Sequence, residues 1–416
     1  MVREWLGLYK KWRGQANKRS DRPSAHCDSI SDLCSAARWT QNPARMRSLQ
    51  RTIHDQLNDA AMARIDWRHV VPDYAERHLG RSVILKPFVG PGEKGVIYIS
   101  FECEWGKLLG RSNLAEFATK YDLVLAPSGD PHNLINYAFA NIWPGTLYSQ
   151  ISNAGDIEVL KGVSEKLIAL PLYASSWVNP TWFSPKPKCD RAFDLTMVAN
   201  FAKFKRHHIL FRALRSMPRD LRVLLIGQDQ DGRTAKSIEQ EARWYGVEDR
   251  FLIRVSQPYA QVIQAFSDSR SSVILSRREG LCVVVAESMF ADAPVAILQS
   301  AELGSRAFIN ERTGIFLNEQ GLAEQLTRFV GEADGFAPKA WAEENISCFK
   351  SSARLSRILQ QHAEACGQFW TRDLAPLQWC PFPQLVHAAD EAMMQTERQA
   401  IAQQFGLIIG AERKKP

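Results

Sequence analysis

SSVILSRREGLCVVVAESMFADAPVAIL (271–298) settles how the second half of the chain folds. SSVILS is a short apolar run that reads as a buried strand. RREG is a tight loop, and LCVVVAESMFA (281–291) continues as a helix that is apolar over most of its length. DAP then turns the chain into PVAILQ (294–299), a second strand. Strand, helix and strand in succession form a crossover unit, which belongs to a mostly parallel sheet covered by helices.

The same alternation extends in both directions. Strands are expected upstream at DLTMVANF (194–201), RVLLIGQD (222–229) and RFLIRVS (250–256), and downstream at TGIFL (313–317). Helices are expected between them at 207–217, 233–245, 258–268 and 320–330. In the first half, SVILKPF (82–88), GVIYISF (95–101), DLVLAPS (122–128), TLYSQIS (146–152) and KLIALPLY (166–173) read as strands. Helical stretches such as NLAEFATK (113–120) lie between some of them. SSWVNPTWFSPKPKCD (175–190) carries Pro180, Pro185 and Pro187, which suit neither a helix nor a central strand, so it is expected to connect two domains.

A length of 416 residues exceeds what one core ordinarily serves. The expected division is a basic extension (1–45), a first α/β domain (46–180), a second (181–370) and a helical tail (371–416) crossing back toward the first. Residues 20–45 read as a linker or short helices and 46–78 as mostly helical. Helix is expected again over 338–365 and 385–404, with DLAPLQWCPFPQ (373–384) irregular between them. Two such domains should leave a cleft, with ligands beyond the carboxyl ends of the strands.

The composition, 45% hydrophobic and 23% charged, is that of a globular chain. No run reaches the roughly 20 apolar residues that span a bilayer, and no secretory signal is evident, which points to the cytoplasm. Eight scattered cysteines without a CxxC suit free thiols better than disulfides or zinc. The net charge of +7 is modest, but seven Lys or Arg residues crowd between Arg3 and Arg22. In VREWLGLYKKWRGQ (2–15), Trp5, Leu8, Tyr9 and Trp12 would share one helical face, beside Lys10, Lys11 and Arg13. Such a helix either lies peripherally on an anionic membrane, here the inner face of the plasma membrane, or docks on the body of the protein. Basic residues do not continue as a stripe with interleaved aromatics, which argues against nucleic acid as a partner.

Chemistry concentrates around residue 280. Gly280 lets a ligand approach the backbone, and free N–H groups near Leu281, Cys282 and Val283 would form an anion site at the helix start, suited to a diphosphate. Glu279 and Glu287 flank it, eight residues apart. At helical rise that is on the order of 12 Å, the span of a nucleoside diphosphate sugar from hexose to ribose. Each carboxylate can grip a diol through two hydrogen bonds. The plainer alternative makes Glu279 a helix cap and Glu287 a solvent-facing residue. A second cationic segment, ANFAKFKRHHILFRAL (199–214), follows the first strand of the same domain. Lys203, Lys205 and Arg206 there could neutralise a diphosphate, Lys205 first among them, while His207 and His208 read as surface residues at a helix start. A fixed cation favours the transition state, because leaving-group charge grows as the glycosidic bond breaks.

These segments together resemble the nucleotide-binding domain of GT-B glycosyltransferases, in particular the retaining family 4, the glycosyl transferases group 1. REGLCVVVAESMFADAPVAIL (278–298) matches its Glu-Gly pair, second Glu and Pro-Val at Glu279, Gly280, Glu287, Pro294 and Val295. ANFAKFKR (199–206) is similar to its other phosphate-binding segment. It keeps the lysine as Lys205, but has Asn200 where an arginine is usual and Arg206 where a glycine is usual. FSP (183–185) resembles the element before the second domain, and the first half matches in outline. The resemblance implies an α/β GT-B fold: two Rossmann-like parallel-sheet domains facing across a cleft, with an N-terminal helical extension and C-terminal helices packing back. It implies that Glu279 holds donor-sugar hydroxyls, Glu287 the ribose and Lys205 the diphosphate. Gly280 and Leu281 assist through the backbone, with Lys203 and Asn200 nearby, and the base lies near Arg254, Ser256 and Gln257.

The implied reaction moves a sugar from a nucleotide-diphosphate donor to an acceptor hydroxyl, on a polysaccharide or glycolipid, with retention. Lys205 and Glu279 act directly, and no tightly bound cofactor or metal is called for. Inversion would instead require a base from the first domain, with Glu102 and Glu104 in SFECEW (100–105) or Asp130 and His132 in SGDPH (128–132) as candidates. A sugar-nucleotide epimerase, glucose transfer to DNA and a non-catalytic nucleotide-sugar-binding protein remain as alternatives.

Overall fold

The computed structural model describes residues 2–17, 24–71, 74, 77–280, 282–379 and 382–410. The chain forms two compact units. One comprises Met1–Leu172, Ser352–Leu377 and Pro381–Pro416, the other Tyr173–Ser351 and Gln378–Cys380.

The first unit opens with three helices, α1 (Val2–Asn17), α2 (Ala25–Trp39) and α3 (Pro43–Leu57). Asn42 starts α3 by accepting from the amides of Ala44 and Arg45, with Pro43 in the first turn where its missing N–H costs nothing. α1 lies on α2 through its small residues: a Cβ at Gly14 would already sit 3.0 Å from the Ser29 carbonyl oxygen. Buried Asp32 then receives Lys10 Nζ at 3.1 Å, Arg13 Nε at 2.6 Å and Asn17 Nδ2 at 3.1 Å. Docking thus uses the polar and glycine positions and leaves Leu8, Tyr9 and Trp12 exposed, while the side chain of Trp5 lies outside the described residues. Helix does not continue to residue 78 as the composition suggested. α3 stops at Leu57, and Asp59 and Asp66 turn their carboxylates onto the following amides, leaving two short 3₁₀ turns.

The sheet of this unit has five strands side by side in chain order. They are β1 (Ser82–Lys86), β2 (Gly95–Ser100), β3 (Tyr121–Ala126), β4 (Leu147–Gln150) and β5 (Leu167–Leu170). β1 runs antiparallel to β2 and the other pairings are parallel. α4 (Glu102–Gly106), α5 (Leu114–Lys120), α6 (Leu134–Ile142) and α7 (Asp156–Val163) make the crossovers. β2 is buried at every position, the mark of a strand covered on both faces. Residues near the end of the chain also pack on this unit. Tyr148 on β4 hydrogen-bonds His362 at 2.7 Å, Glu397 accepts from the Phe88 amide at 3.0 Å, and the Phe405 ring meets Phe117 edge-on at 5.0 Å.

The second unit is a six-stranded parallel sheet: β6 (Leu195–Val198), β7 (Val223–Gly227), β8 (Phe251–Val255), β9 (Ser272–Ile274), β10 (Val295–Leu298) and β11 (Gly314–Leu317). Their spatial order is β11-β10-β9-β6-β7-β8. This is the doubly wound Rossmann order, built outward in one direction from β6 and then in the other from β9. The connecting helices are α8 (His207–Leu214), α9 (Ala235–Tyr245), α10 (Tyr259–Ser267), α11 (Val284–Phe290) and α12 (Leu322–Gly331). α11 anchors the core through Val285, Ala286, Met289 and Phe290, all fully buried. Winding reverses between β6 and β9, so the loops leaving their carboxyl ends diverge and open a crevice there. No helix among the described residues is long and apolar enough to cross a membrane.

Candidate functional site

The loop beyond β6 is built in three steps. Asn200 folds back to accept from the Ala202 amide at 3.2 Å, Lys203–Lys205 make a 3₁₀ turn, and Arg206 adopts the left-handed conformation (φ 60°, ψ 43°) that starts α8. The loop beyond β9 carries Glu279. The two loops meet at the winding switch, where Lys205 Nζ lies 2.7 Å from Glu279 Oε2, the side chains only 12% and 8% exposed. The Ser276 hydroxyl donates to the same carboxylate.

Two cavities adjoin this pair. A small one of about 10 Å³, room for a single water, is lined by Lys205, Ser276, Glu279, Cys282 and Val284. A larger one of about 270 Å³ is lined by Asn200, Lys205, Gly227, Ser256, Gln257 and Val284. Lys205 therefore stands on both walls. Ser256, left-handed at φ 50°, donates its amide to the Gly227 carbonyl at 2.8 Å and so carries the chain around the mouth of the larger cavity. Arg254 does not line it: its guanidinium lies over the Phe193 ring, 5.6 Å from the centroid. Lys203 is exposed.

Glu287 points into the protein, not into water. It is 6% exposed, accepts from the Tyr259 hydroxyl at 2.7 Å, and burial pushes its carboxyl up to about 7 against the lowering effect of that hydrogen bond. The solvent-facing alternative for this residue is thereby excluded. Tyr259, at the start of α10, had no distinguishing signal in the sequence.

Three expectations need correction. The helix after Gly280 begins at Val284 rather than at residue 281, because Cys282 takes φ 23° and breaks the helical path. The amides of Cys282 and Val283 thus precede the helix, Leu281 lies outside the described residues, and the spacing estimate from helical rise does not apply across 279–283. Arg206 does not face a diphosphate. Its guanidinium forks onto Glu319, Nη1 to Oε1 at 2.9 Å and Nη2 to Oε2 at 2.8 Å, holding that carboxyl down at about 2. His207 is no surface residue: it is 1% exposed against Phe201, and burial drives its pKa down to about 3, leaving it neutral.

In the first unit the candidate bases gather at the carboxyl ends of β2 and β3. Glu102 accepts from the Ser128 amide and, at 2.7 Å, from its hydroxyl, with Asn133 Nδ2 at 3.4 Å, and burial raises its carboxyl above the ordinary value. Asp130 accepts from the His132 amide at 2.9 Å and faces Arg38 at 3.5 Å. Glu104 and His132 turn inward, Glu104 to Lys107 Nζ at 2.9 Å and His132 Nδ1 to the Tyr137 hydroxyl at 2.9 Å. Among the described residues no group of three or more His, Cys, Asp or Glu is placed to hold a metal ion.

Residues 179–333 match the family model described as glycosyl transferases group 1. No curated protein matches the chain. Among solved structures, the chain is similar to a sucrose-phosphate synthase from Thermosynechococcus elongatus (14% identity, TM-score 0.51, covering 65% of this chain and 74% of that one). It is also similar to S. aureus TarM in complex with fondaparinux, α-GlcNAc-glycerol and UDP (12% identity, TM-score 0.50, covering 62% and 53%). The match thus spans about half the length of TarM. At these identities the likeness is one of fold, and the fold is GT-B.

Proposed function

We propose that this chain, a GT-B glycosyltransferase whose residues 179–333 form a glycosyl transferases group 1 domain, moves a sugar with retention from a nucleoside diphosphate to an acceptor hydroxyl on a polysaccharide or glycolipid. The observation that carries this is the Lys205–Glu279 pair at the winding switch, with Lys205 on the wall of both cavities and Glu279 on that of the smaller. A lysine and a carboxylate of opposite task, held together where a ligand's diphosphate and sugar would meet, are poised to exchange partners. The donor draws Lys205 onto its diphosphate and releases Glu279 to the sugar hydroxyls, while Glu287 takes the ribose from Tyr259. Lys205 then opposes the charge that grows on the leaving phosphate. Asn200, Gly280 and Ser256 lie along the donor path, and Lys203 adds positive potential from solvent.

Retention needs no base from the first unit, because the departing phosphate takes the acceptor's proton. Glu102 and Asp130 then serve acceptor hydroxyls as hydrogen-bond partners. Should the product prove inverted, Glu102 is the group to examine, since burial raises its carboxyl above the ordinary value and so favours its taking up a proton. The exposed Leu8, Tyr9 and Trp12 of α1 support peripheral contact with an anionic bilayer. Trp12→Ala should then lower co-sedimentation with phosphatidylserine vesicles, and equal sedimentation would remove the membrane from the scheme.

The deciding experiment supplies UDP-, GDP- and ADP-sugars with and without oligosaccharide or lipid-linked acceptors. Transfer requires acceptor-dependent release of nucleoside diphosphate, lost in Lys205→Ala and Glu279→Ala. The UDP bound to TarM makes uridine donors the first to try. Acceptor-independent isomerisation of the sugar nucleotide would identify an epimerase, and tight binding without turnover a non-catalytic binder.

A further inference from the structure

We infer that Glu319 is a positioning residue: its single carboxylate clasps both loops that carry donor-binding side chains and thereby sets the Lys205–Glu279 geometry. This rests on the nucleotide-sugar reading of that site. Glu319 follows β11 and takes a bidentate fork from Arg206, at 2.9 and 2.8 Å. It also takes Arg277, Nη2 at 2.7 Å and Nε at 3.1 Å, on the same Oε1. Arg206 is the residue after Lys205, and Arg277 stands two before Glu279. One carboxylate thus ties the segment after β6 to the segment after β9. Arg206 adds a longer bond to the Leu275 carbonyl, at 3.4 Å, at the end of β9.

Two physical arguments make this more than a surface ion pair. First, Arg206 holds a left-handed backbone that an arginine does not favour. Something beyond local preference must hold it, and the planar guanidinium locked onto Glu319 supplies an orientation as well as an attraction. Second, without the Glu319 charge the two guanidiniums confront each other. Their repulsion acts directly on the chain beside Lys205 and beside Glu279, spreading the loops that must close on a diphosphate.

The test titrates UDP, GDP, ADP and inorganic pyrophosphate into the full chain and into Glu319→Gln, Arg206→Gly and the double variant. Glu344→Gln is the control. It breaks an exposed fork of the same kind, Arg312 to Glu344 at 2.8 and 3.2 Å, elsewhere in the same unit. Glu319→Gln should bind the best of these probes about tenfold more weakly, with a thermal midpoint shift no larger than that of the control. Arg206→Gly should lose less, since glycine adopts the left-handed turn unaided. The double variant should lose less than the two single losses combined, because the clasp is already gone. Unchanged affinity in Glu319→Gln, strictly additive losses, or an equal loss in Glu344→Gln would overturn the clasp. Failure of the wild-type chain to bind any of the four probes would overturn the nucleotide reading and the clasp with it.

Discussion

Lys205 and Glu279 form a nearly buried ion pair, and each therefore stabilises the other. Lys205→Ala leaves a carboxylate unpaired in a site that excludes most water, and should cost about 3 kcal/mol. Glu279→Ala strands the ammonium instead. The double variant should be much less damaging than the two losses summed, by denaturant unfolding. Strict additivity would mean the residues do not pair in solution. Glu287 gives a pH signature. Its folded value of about 7 lies above the ordinary carboxyl value of 4.5, so the folded state binds the proton more tightly. Its contribution is full below pH 4.5 and is lost as pH rises through about 7, worth about 3 kcal/mol. Glu287→Gln should flatten the fall in thermal midpoint across that window. It should also weaken nucleotide binding most at high pH, where the wild-type carboxylate is ionised and accepts both ribose hydroxyls. A midpoint profile identical to that of wild type would contradict the buried, raised carboxyl. The pairing of Lys205 with Glu279 joins two segments that the sequence had singled out separately, one for its cations and one for its two glutamates. The partner of Arg206 was not, since Glu319 lies 113 positions away and only the sheet order brings them together.

At the scale of elements, the strands were plain because continuous apolar runs have few other destinations. The beginning of α11 was not. LCVVVAESMFA is equally apolar at 281–283 and at 284–290, and nothing in its periodicity reveals that Cys282 adopts a positive φ. The short 3₁₀ turns after α3 were missed for a related reason: side-chain oxygens on Asp59 and Asp66 compete with the helix for its amides. Gly227 ends β7 on the wall of the larger cavity, and a Cβ there would run into the Phe201 ring and the Ala199 carbonyl. Gly227→Ala should therefore cost about 2 kcal/mol by overpacking and displace the loop that leads to Lys205. Calorimetric melting and nucleotide titration should both register it, and a variant as stable and as avid as wild type would show the wall to be pliant. Docking of α1 on the body was one of the two expectations for it; its seat at Gly7 and Gly14 carries no apolar periodicity and so left no signal in the sequence.

For the whole molecule, the doubly wound order of the second sheet places the reversal between β6 and β9, and the candidate site follows from that topology. The first unit departs from it: its strands lie in chain order behind an antiparallel β1. The central claim is that the crevice at the β6–β9 reversal holds a nucleoside diphosphate sugar between Lys205, Glu279 and Glu287. It is tested most directly by isothermal titration of UDP-, GDP- and ADP-sugars into wild-type, Lys205→Ala, Glu279→Ala and Glu287→Ala chains. One donor should bind the wild type, Glu287→Ala and Lys205→Ala should bind it and its bare nucleoside diphosphate at least about tenfold more weakly, and Glu279→Ala should lose affinity mainly for the sugar-bearing form. Equal affinities across all four proteins, or no donor bound by the wild type, would contradict it.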